Sequence, residues 1–175
     1  LGQVSYTSRA EALRRALGTD SFTGNVATQW GETNEDTAIA AYTALTGNVV
    51  EATGLHMHPE HAWLGGSPDG FVGTRGLVEV KCPYYHKRGG RVHQTVPAHY
   101  YTQVNALLEV CDRDWCDYVC WAPEGLAIHR VSRDSATFQY LLPFYKEFYG
   151  AIERRDALPP PLPQKQQIAD ALRAA

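Results

Sequence analysis

Residues Leu64 to Pro83 read LGGSPDGFVGTRGLVEVKCP, and the fold and the chemistry of this 175-residue chain both turn on how that stretch is placed. Phe71-Val72 and Leu77-Val78 are apolar and β-favouring, and Gly73-Thr74-Arg75-Gly76 separates them as a turn. With a three-residue loop, Val72 faces Gly76 and Asp69 lies opposite Glu79. Opposed residues carry Cβ atoms about 4.5–5.5 Å apart. Two carboxylates that close repel unless a cation lies between them. A hard divalent cation with oxygen ligands fits, and Mg²⁺ fits best where phosphate completes the shell. A four-residue loop would shift the register by one and send the two acids to opposite faces.

In a strand Glu79 and Lys81 share a face, about 6.6 Å apart along the chain, while Val80 points into a core. Acid, apolar residue, ammonium is a sensible order for a metal ligand, an anchor and a cation that orients water. The plain alternative is a solvated Glu-Lys pair on a sheet surface. Ser67-Pro68-Asp69-Gly70 upstream and Cys82-Pro83 downstream favour the first reading.

Ser67-Pro68-Asp69-Gly70 and Glu79-Val80-Lys81-Cys82-Pro83 resemble the PD-(D/E)xK nucleases, and more narrowly the phage-lambda-type exonucleases, the YqaJ viral recombinase family. The resemblance runs from about Trp30 to Ala122. It implies a restriction-endonuclease-like α/β fold, with a central mixed sheet flanked by helices. It also implies a Mg²⁺-dependent deoxyribonuclease, Mn²⁺ serving as substitute, acting 5′→3′ on linear duplex DNA. In that reading Asp69, Glu79 and the Val80 carbonyl hold metal, Glu35 completes a second position, and Lys81 orients and helps deprotonate the attacking water. Ser67 and Gln103 position phosphate and water. The alternatives are an endonuclease on the same fold, cutting DNA or RNA, and a non-catalytic scaffold that loads an annealing partner. The intact acid-acid-lysine set argues against a dead remnant.

The supporting elements follow from periodicity. Ser5–Leu17 reads as a helix stopped by Gly18. A second helix is expected from Thr28 to Leu45, with Ala38, Ile39, Tyr42 and Leu45 as its apolar stripe. Glu35 lies on that stripe, where an unpaired carboxylate is costly. Glu32, one turn earlier, suits a helix-end acid favoured by the macrodipole. Trp30-Gly31-x-x-x-Glu35 resembles the W-G-x-x-x-E motif of the family's first helix, which selects Glu35 and leaves Glu32 in reserve. Asn48–His56 and Ala62–Gly65 are expected strands. His56, His58 and His61 between them suggest zinc, but no acidic or Cys partner completes a known spacing, and a polar turn is the better account.

Tyr84–Val96 interleaves aromatic and basic residues, including Lys87, Arg88 and Arg91. Leaving the strand end that carries Lys81, it suits DNA phosphates and exposed bases. Pro97 opens a helix to Val110, with Tyr100, Gln103, Val104, Leu107 and Leu108 inward. Tyr100-x-x-Gln103-Val104 is similar to the family's Y-x-x-Q-V/I helix, which implies that Tyr100 and Gln103 face DNA and the reacting groups. Strands Trp115–Trp121 and Leu126–Val131 turn at Pro123-Glu124-Gly125. A last helix, Ser135–Arg154, carries Phe138, Leu141, Leu142, Tyr145 and Phe148 inward and Pro143 as a kink.

The length suits one nuclease domain, 1–157, followed by a Pro-rich break and tail, 158–175. The formal charge of −3 excludes a general nucleic-acid coat, so DNA contact must come from local basic patches. No run is long enough to span a membrane. Cys111, Cys116 and Cys120 match no common zinc spacing. Cys116 and Cys120 on one strand face stand about 13 Å apart, too far for one metal, so they read as buried thiols of an intracellular protein, in the cytoplasm or a host nucleus. The family's upstream R-x-x-x-I-T-A-S-like segment has no match here, so the N-terminal segment is expected to be incomplete. The resemblance leaves trimer and monomer equally open.

Overall fold

The computed structural model describes residues 8–20, 24–84 and 92–155. The elements in order are α1 (Arg9–Ala16), α2 (Val26–Thr46), β1 (Val50–Glu51), β2 (His56–Met57), β3 (Gly65–Gly66), β4 (Gly70–Val72), β5 (Gly76–Lys81), α3 (Ala98–Val110), β6 (Trp115–Ala122), β7 (Gly125–Ser132) and α4 (Ser135–Arg154). They fall into two compact units, residues 24–133 and the segments on either side of them.

The first unit carries a five-stranded mixed sheet in the order β1-β4-β5-β6-β7, with β2 and β3 as a separate two-stranded ribbon. Among the described strands only β5 and β6 are parallel, joined through α3. The hairpin has the three-residue loop: Val72 pairs Gly76, Phe71 pairs Leu77 and Gly70 pairs Val78. Gly73 opens that loop at φ +56, a conformation that glycine adopts without steric cost. Gly70 is needed for a different reason. A Cβ there would collide with the Val50 side chain and lie 3.2 Å from the Glu51 carbonyl oxygen of β1.

Alternation along β5 divides the core. Leu77 packs with Val104, Leu107 and Leu108 of α3 and with Cys116, Tyr118 and Cys120 of β6. Val78 and Val80 pack on the other face with Ala38 and Tyr42 of α2 and with Val119. Glu79 and Lys81 therefore share the α3 face, and Val80 is a core anchor, as the period of two requires. The free thiols of Cys116 and Cys120 are buried on that α3 face.

α2 starts two residues before the expected Thr28, because the Asn25 side chain caps it by accepting from the Ala27 and Thr28 N–H groups. It ends at Gly47 in the left-handed conformation. Leu45 lies on the expected stripe yet is 68% exposed. Spacing sets the direction of a side chain, not whether a neighbour meets it. The single strand expected over 48–56 is instead two short strands in different sheets. Gly54, between them, interrupts β pairing. The strand expected over 62–65 is reduced to Gly65–Gly66, which pairs β2.

The second unit holds α1 and α4. Ser8 and Glu11 form a capping box at α1, so the helix begins later than Ser5. Asp134 caps α4, which runs unbroken through Pro143. Phe138 and Leu141 are buried, while Leu142, Tyr145 and Phe148 are half-buried. Arg9 pairs with Glu147 at 3.6 Å. Among the described residues no helix is long and apolar enough to cross a membrane.

Candidate active site

The end of β5 gathers most of the expected site residues. Asp69 stands just before β4, and its Oδ2 accepts the Val80 N–H at 2.6 Å. This bond continues the hairpin past the last β4 residue: Val80 lies beyond the β4 ladder, and a carboxylate takes the place of a backbone acceptor. Glu79 is 2% exposed. Its Oε1 accepts from Lys81 Nζ at 2.5 Å and from Gln103 Nε2 at 2.7 Å. Its Oε2 is buried and has no hydrogen-bond partner. Lys81 Nζ also lies 5.1 Å from the centre of the Tyr100 ring.

These contacts set the charges. Burial pushes the Glu79 carboxyl up from 4.5 to about 7, opposed by Lys81 and reinforced by Asp69. Burial likewise raises Asp69, with the Val80 N–H and Lys81 acting against it. For Lys81 burial favours the neutral amine, but Glu79 and Asp69 outweigh it and hold the group above the usual lysine range as an ammonium. Glu35 projects from α2, the helix that covers the opposite sheet face. Burial raises its carboxyl, and the negative charge of Asp69 raises it further.

The metal-free protein should register this in its stability. The folded state binds the Glu79 proton more tightly than the unfolded chain does. The contribution of that carboxyl is therefore full below pH 4.5, falls as pH rises through the window from 4.5 to about 7, and is flat above it. The unfolding midpoint of wild type relative to Glu79→Gln, measured without metal, should fall as pH rises across that window. A constant difference would mean an ordinary carboxyl.

A divalent cation fits the residues present. The donors are oxygens, two of the carboxylates are adjacent along the hairpin, and Glu79 Oε2 is a buried acceptor with nothing to accept. Among the described residues no three His, Cys, Asp or Glu side chains are drawn together as a finished cage. The fit therefore rests on the carboxylate pair and that bare oxygen. His56, His58 and His61 do not converge: His58 and His61 stack at 4.7 Å, while His56 lies against Phe71 at 4.9 Å.

Other expectations fare unevenly. Gln103 is exposed overall, but its amide reaches Glu79 rather than a solvent-side group. Ser67 is exposed on the segment leading to Asp69. Lys87, Arg88 and Arg91 lie outside the described residues. Glu32 is exposed one turn from Glu35. Glu35→Gln should accordingly lower kcat by about 10²-fold and Glu32→Gln by less than about threefold, as a half-buried carboxylate that feels the charge of Asp69 would outweigh a solvated one. Parallel steady-state assays decide this, and a larger Glu32 effect would shift the assignment by one turn. Two polar groupings escape sequence inspection. The Tyr42 hydroxyl meets Asp117, and the His93 ring meets the Tyr118 hydroxyl at 2.6 Å. Their only sequence signal is a polar residue on a core-facing position of β6 or the segment before α3.

The YqaJ-like viral recombinase domain model matches residues 1–114. This chain belongs to that family. Among solved structures, an alkaline exonuclease (LHK-Exo) from Laribacter hongkongensis matches at TM-score 0.70 and 27% identity, covering 95% of this chain and 84% of that one. LHK-Exo in complex with dAMP matches at 0.68 and 26%, with 95% and 85% covered. A phage related exonuclease from Haemophilus somnus 129PT, 18% identical at TM-score 0.57 over 83% and 77% of the two chains, shares the fold. No curated protein matches the chain. The fold is thus the restriction-endonuclease-like α/β fold, and the chain is a nuclease, a phosphodiester hydrolase.

Proposed function

We propose that this chain is a divalent-metal-dependent DNA exonuclease whose reacting centre is the Asp69, Glu79 and Lys81 group. Family membership and the LHK-Exo match support a DNA exonuclease. The observation that carries the chemistry is the divided Glu79 carboxylate, one oxygen held by Lys81 and Gln103, the other buried and bare.

Asp69, Glu79 and the Val80 carbonyl would hold Mg²⁺, Mn²⁺ substituting, and Glu35 would serve a second ion. Such an ion supplies charge for the scissile phosphate and a polarised water. Gln103 and Lys81 fix the Glu79 carboxylate so that Oε2 stays turned away from both. Lys81, held as an ammonium, donates rather than accepts. Its role in this state is to orient the attacking water and to offset phosphate charge, not to take the proton. Tyr100 packs under the ammonium and limits its motion. Ser67 contacts a substrate phosphate in this reading, as do Lys87, Arg88 and Arg91.

The substrate is linear duplex DNA, degraded 5′→3′ inside the cell. A single-strand annealing protein is the partner that the family reading implies, and sizing by light scattering decides between trimer and monomer. The relative that holds dAMP binds a ligand of the size an exonuclease releases. One experiment tests the reading: linear and closed circular duplexes are incubated with Mg²⁺, with excess EDTA, and with EDTA followed by Mg²⁺. Linear DNA should disappear only when Mg²⁺ is present, and the circle should persist. Full activity in EDTA would end the metal mechanism, and cutting of the circle would make the enzyme an endonuclease.

A further inference from the structure

We propose that Tyr42 and Asp117 are positioning residues for the active site: the hydrogen bond between them fixes the rotation of α2 about its axis and, through it, the placement of the Glu35 carboxylate. The inference rests on the reading of Glu35 given above.

The Tyr42 hydroxyl donates to Asp117 Oδ2 at 2.7 Å. Asp117, on β6, is 2% exposed. Arg130 of β7 closes on the same carboxylate with two bonds, Nε to Oδ1 at 2.8 Å and Nη2 to Oδ2 at 2.9 Å. The guanidinium in turn lies 3.8 Å from the centre of the Trp115 ring. The Asp117 carboxylate is thereby a fixed acceptor, since a bidentate Arg pair allows little rotation. The Asn48 amide donates to the Tyr42 hydroxyl at 2.8 Å, so this hydroxyl both gives and receives. Burial pushes the Tyr42 phenol up to about 12, which keeps it a donor.

The helix needs such a tether. Among the described residues α2 has 21 positions, of which Ala38 and Tyr42 alone are fully buried. A methyl group and a ring face resist sliding weakly, because dispersion contacts are individually small and non-directional. A hydrogen bond is directional. Tyr42 follows Glu35 by seven residues, two helical turns, so both leave the same side of α2 with an offset of about 20°. What turns one turns the other. A rotation of roughly 10° moves an atom about 6 Å from a helix axis by about 1 Å. A misplacement of about 1 Å can cost about 10²-fold in rate. Buried ionic groups are also better attested as setters of register than as sources of stability.

The test is a double-mutant cycle of Tyr42→Phe and Glu35→Gln in the full chain. The readouts are kcat, KM, the unfolding midpoint, and Mg²⁺ binding to the metal-free protein by titration calorimetry. Tyr42→Phe keeps the ring and should keep the fold. It should lower kcat about tenfold and weaken Mg²⁺ binding several-fold, with KM unchanged. In the Glu35→Gln background it should change neither kcat nor Mg²⁺ affinity further, because both act through one carboxylate. Wild-type kcat and Mg²⁺ affinity in Tyr42→Phe, or an equal loss in both backgrounds, would overturn the proposal. Glu35→Gln alone behaving as wild type would overturn the Glu35 reading with it. Should Tyr42→Phe not fold, Asn48→Ala removes one partner of the same hydroxyl. It should show a smaller loss with the same dependence on Glu35, and its absence overturns the proposal equally.

Discussion

Lys81→Ala should lower kcat on linear duplex DNA by about 10²–10³-fold, the size of effect seen when a preorganised charge aimed at the reacting centre is lost. The substitution removes the ammonium that donates to Glu79 Oε1 and that lies over the Tyr100 ring. KM should change little, since in the proposed role the group would act on the reacting atoms more than on the bound strand. The fold should survive. A buried pair that loses one partner ordinarily costs several kcal/mol because a bare charge remains. Here the remaining carboxyl already titrates near neutrality and can take up a proton. The unfolding midpoint of the variant should therefore drop more at alkaline than at acidic pH. A variant that folds well and cleaves at more than a tenth of the wild-type rate would remove Lys81 from the mechanism.

Asp69 offers the second large effect and a way to separate structure from chemistry. Asp69→Asn keeps an oxygen for the Val80 N–H, at present bonded at 2.6 Å, and removes the charge. Asp69→Ala removes both. Each should abolish detectable cleavage, a loss of about 10³-fold or more if the carboxylate supplies several kcal/mol of metal binding and charge. Only the Ala variant should also be destabilised, by about 1–3 kcal/mol, because the Val80 N–H would be left without its partner. Denaturant midpoints and single-turnover rates measured on both proteins give the answer. An active Asn variant would mean that Asp69 serves the hairpin and not the cation.

These expectations start from signals that are local in the chain. The hairpin was readable because Phe71-Val72 and Leu77-Val78 flank a Gly-bounded turn, while the choice between a three- and a four-residue loop came from the structure, where Val72 pairs Gly76. Strand alternation put Glu79 beside Lys81 and Val80 in the core. Gln103 was readable as an odd polar residue in an apolar stripe and by its place in the Tyr100-x-x-Gln103-Val104 resemblance. That its amide ends on Glu79, 24 residues away, is a result of how α3 crosses the sheet.

Sequence by itself thus determined the α/β class, the β4–β5 hairpin, the extent of α3 and α4, and, conditional on a three-residue loop, the grouping of Asp69, Glu79 and Lys81. Each of these depends on propensities and periods that act over a few residues. Tertiary structure alone decided the rest. It split the expected strand over 48–56 between two sheets, left Leu45 in solvent, and turned one Glu79 oxygen toward Lys81 and Gln103 while burying the other. It also joined Tyr42 to Asp117 across 75 residues of sequence. Tyr42 reads as one more apolar residue of a helix stripe, and Asp117 as a lone acid in a strand. Which partner meets a buried polar group is settled by the packing of distant elements against one another, and no local pattern encodes that meeting.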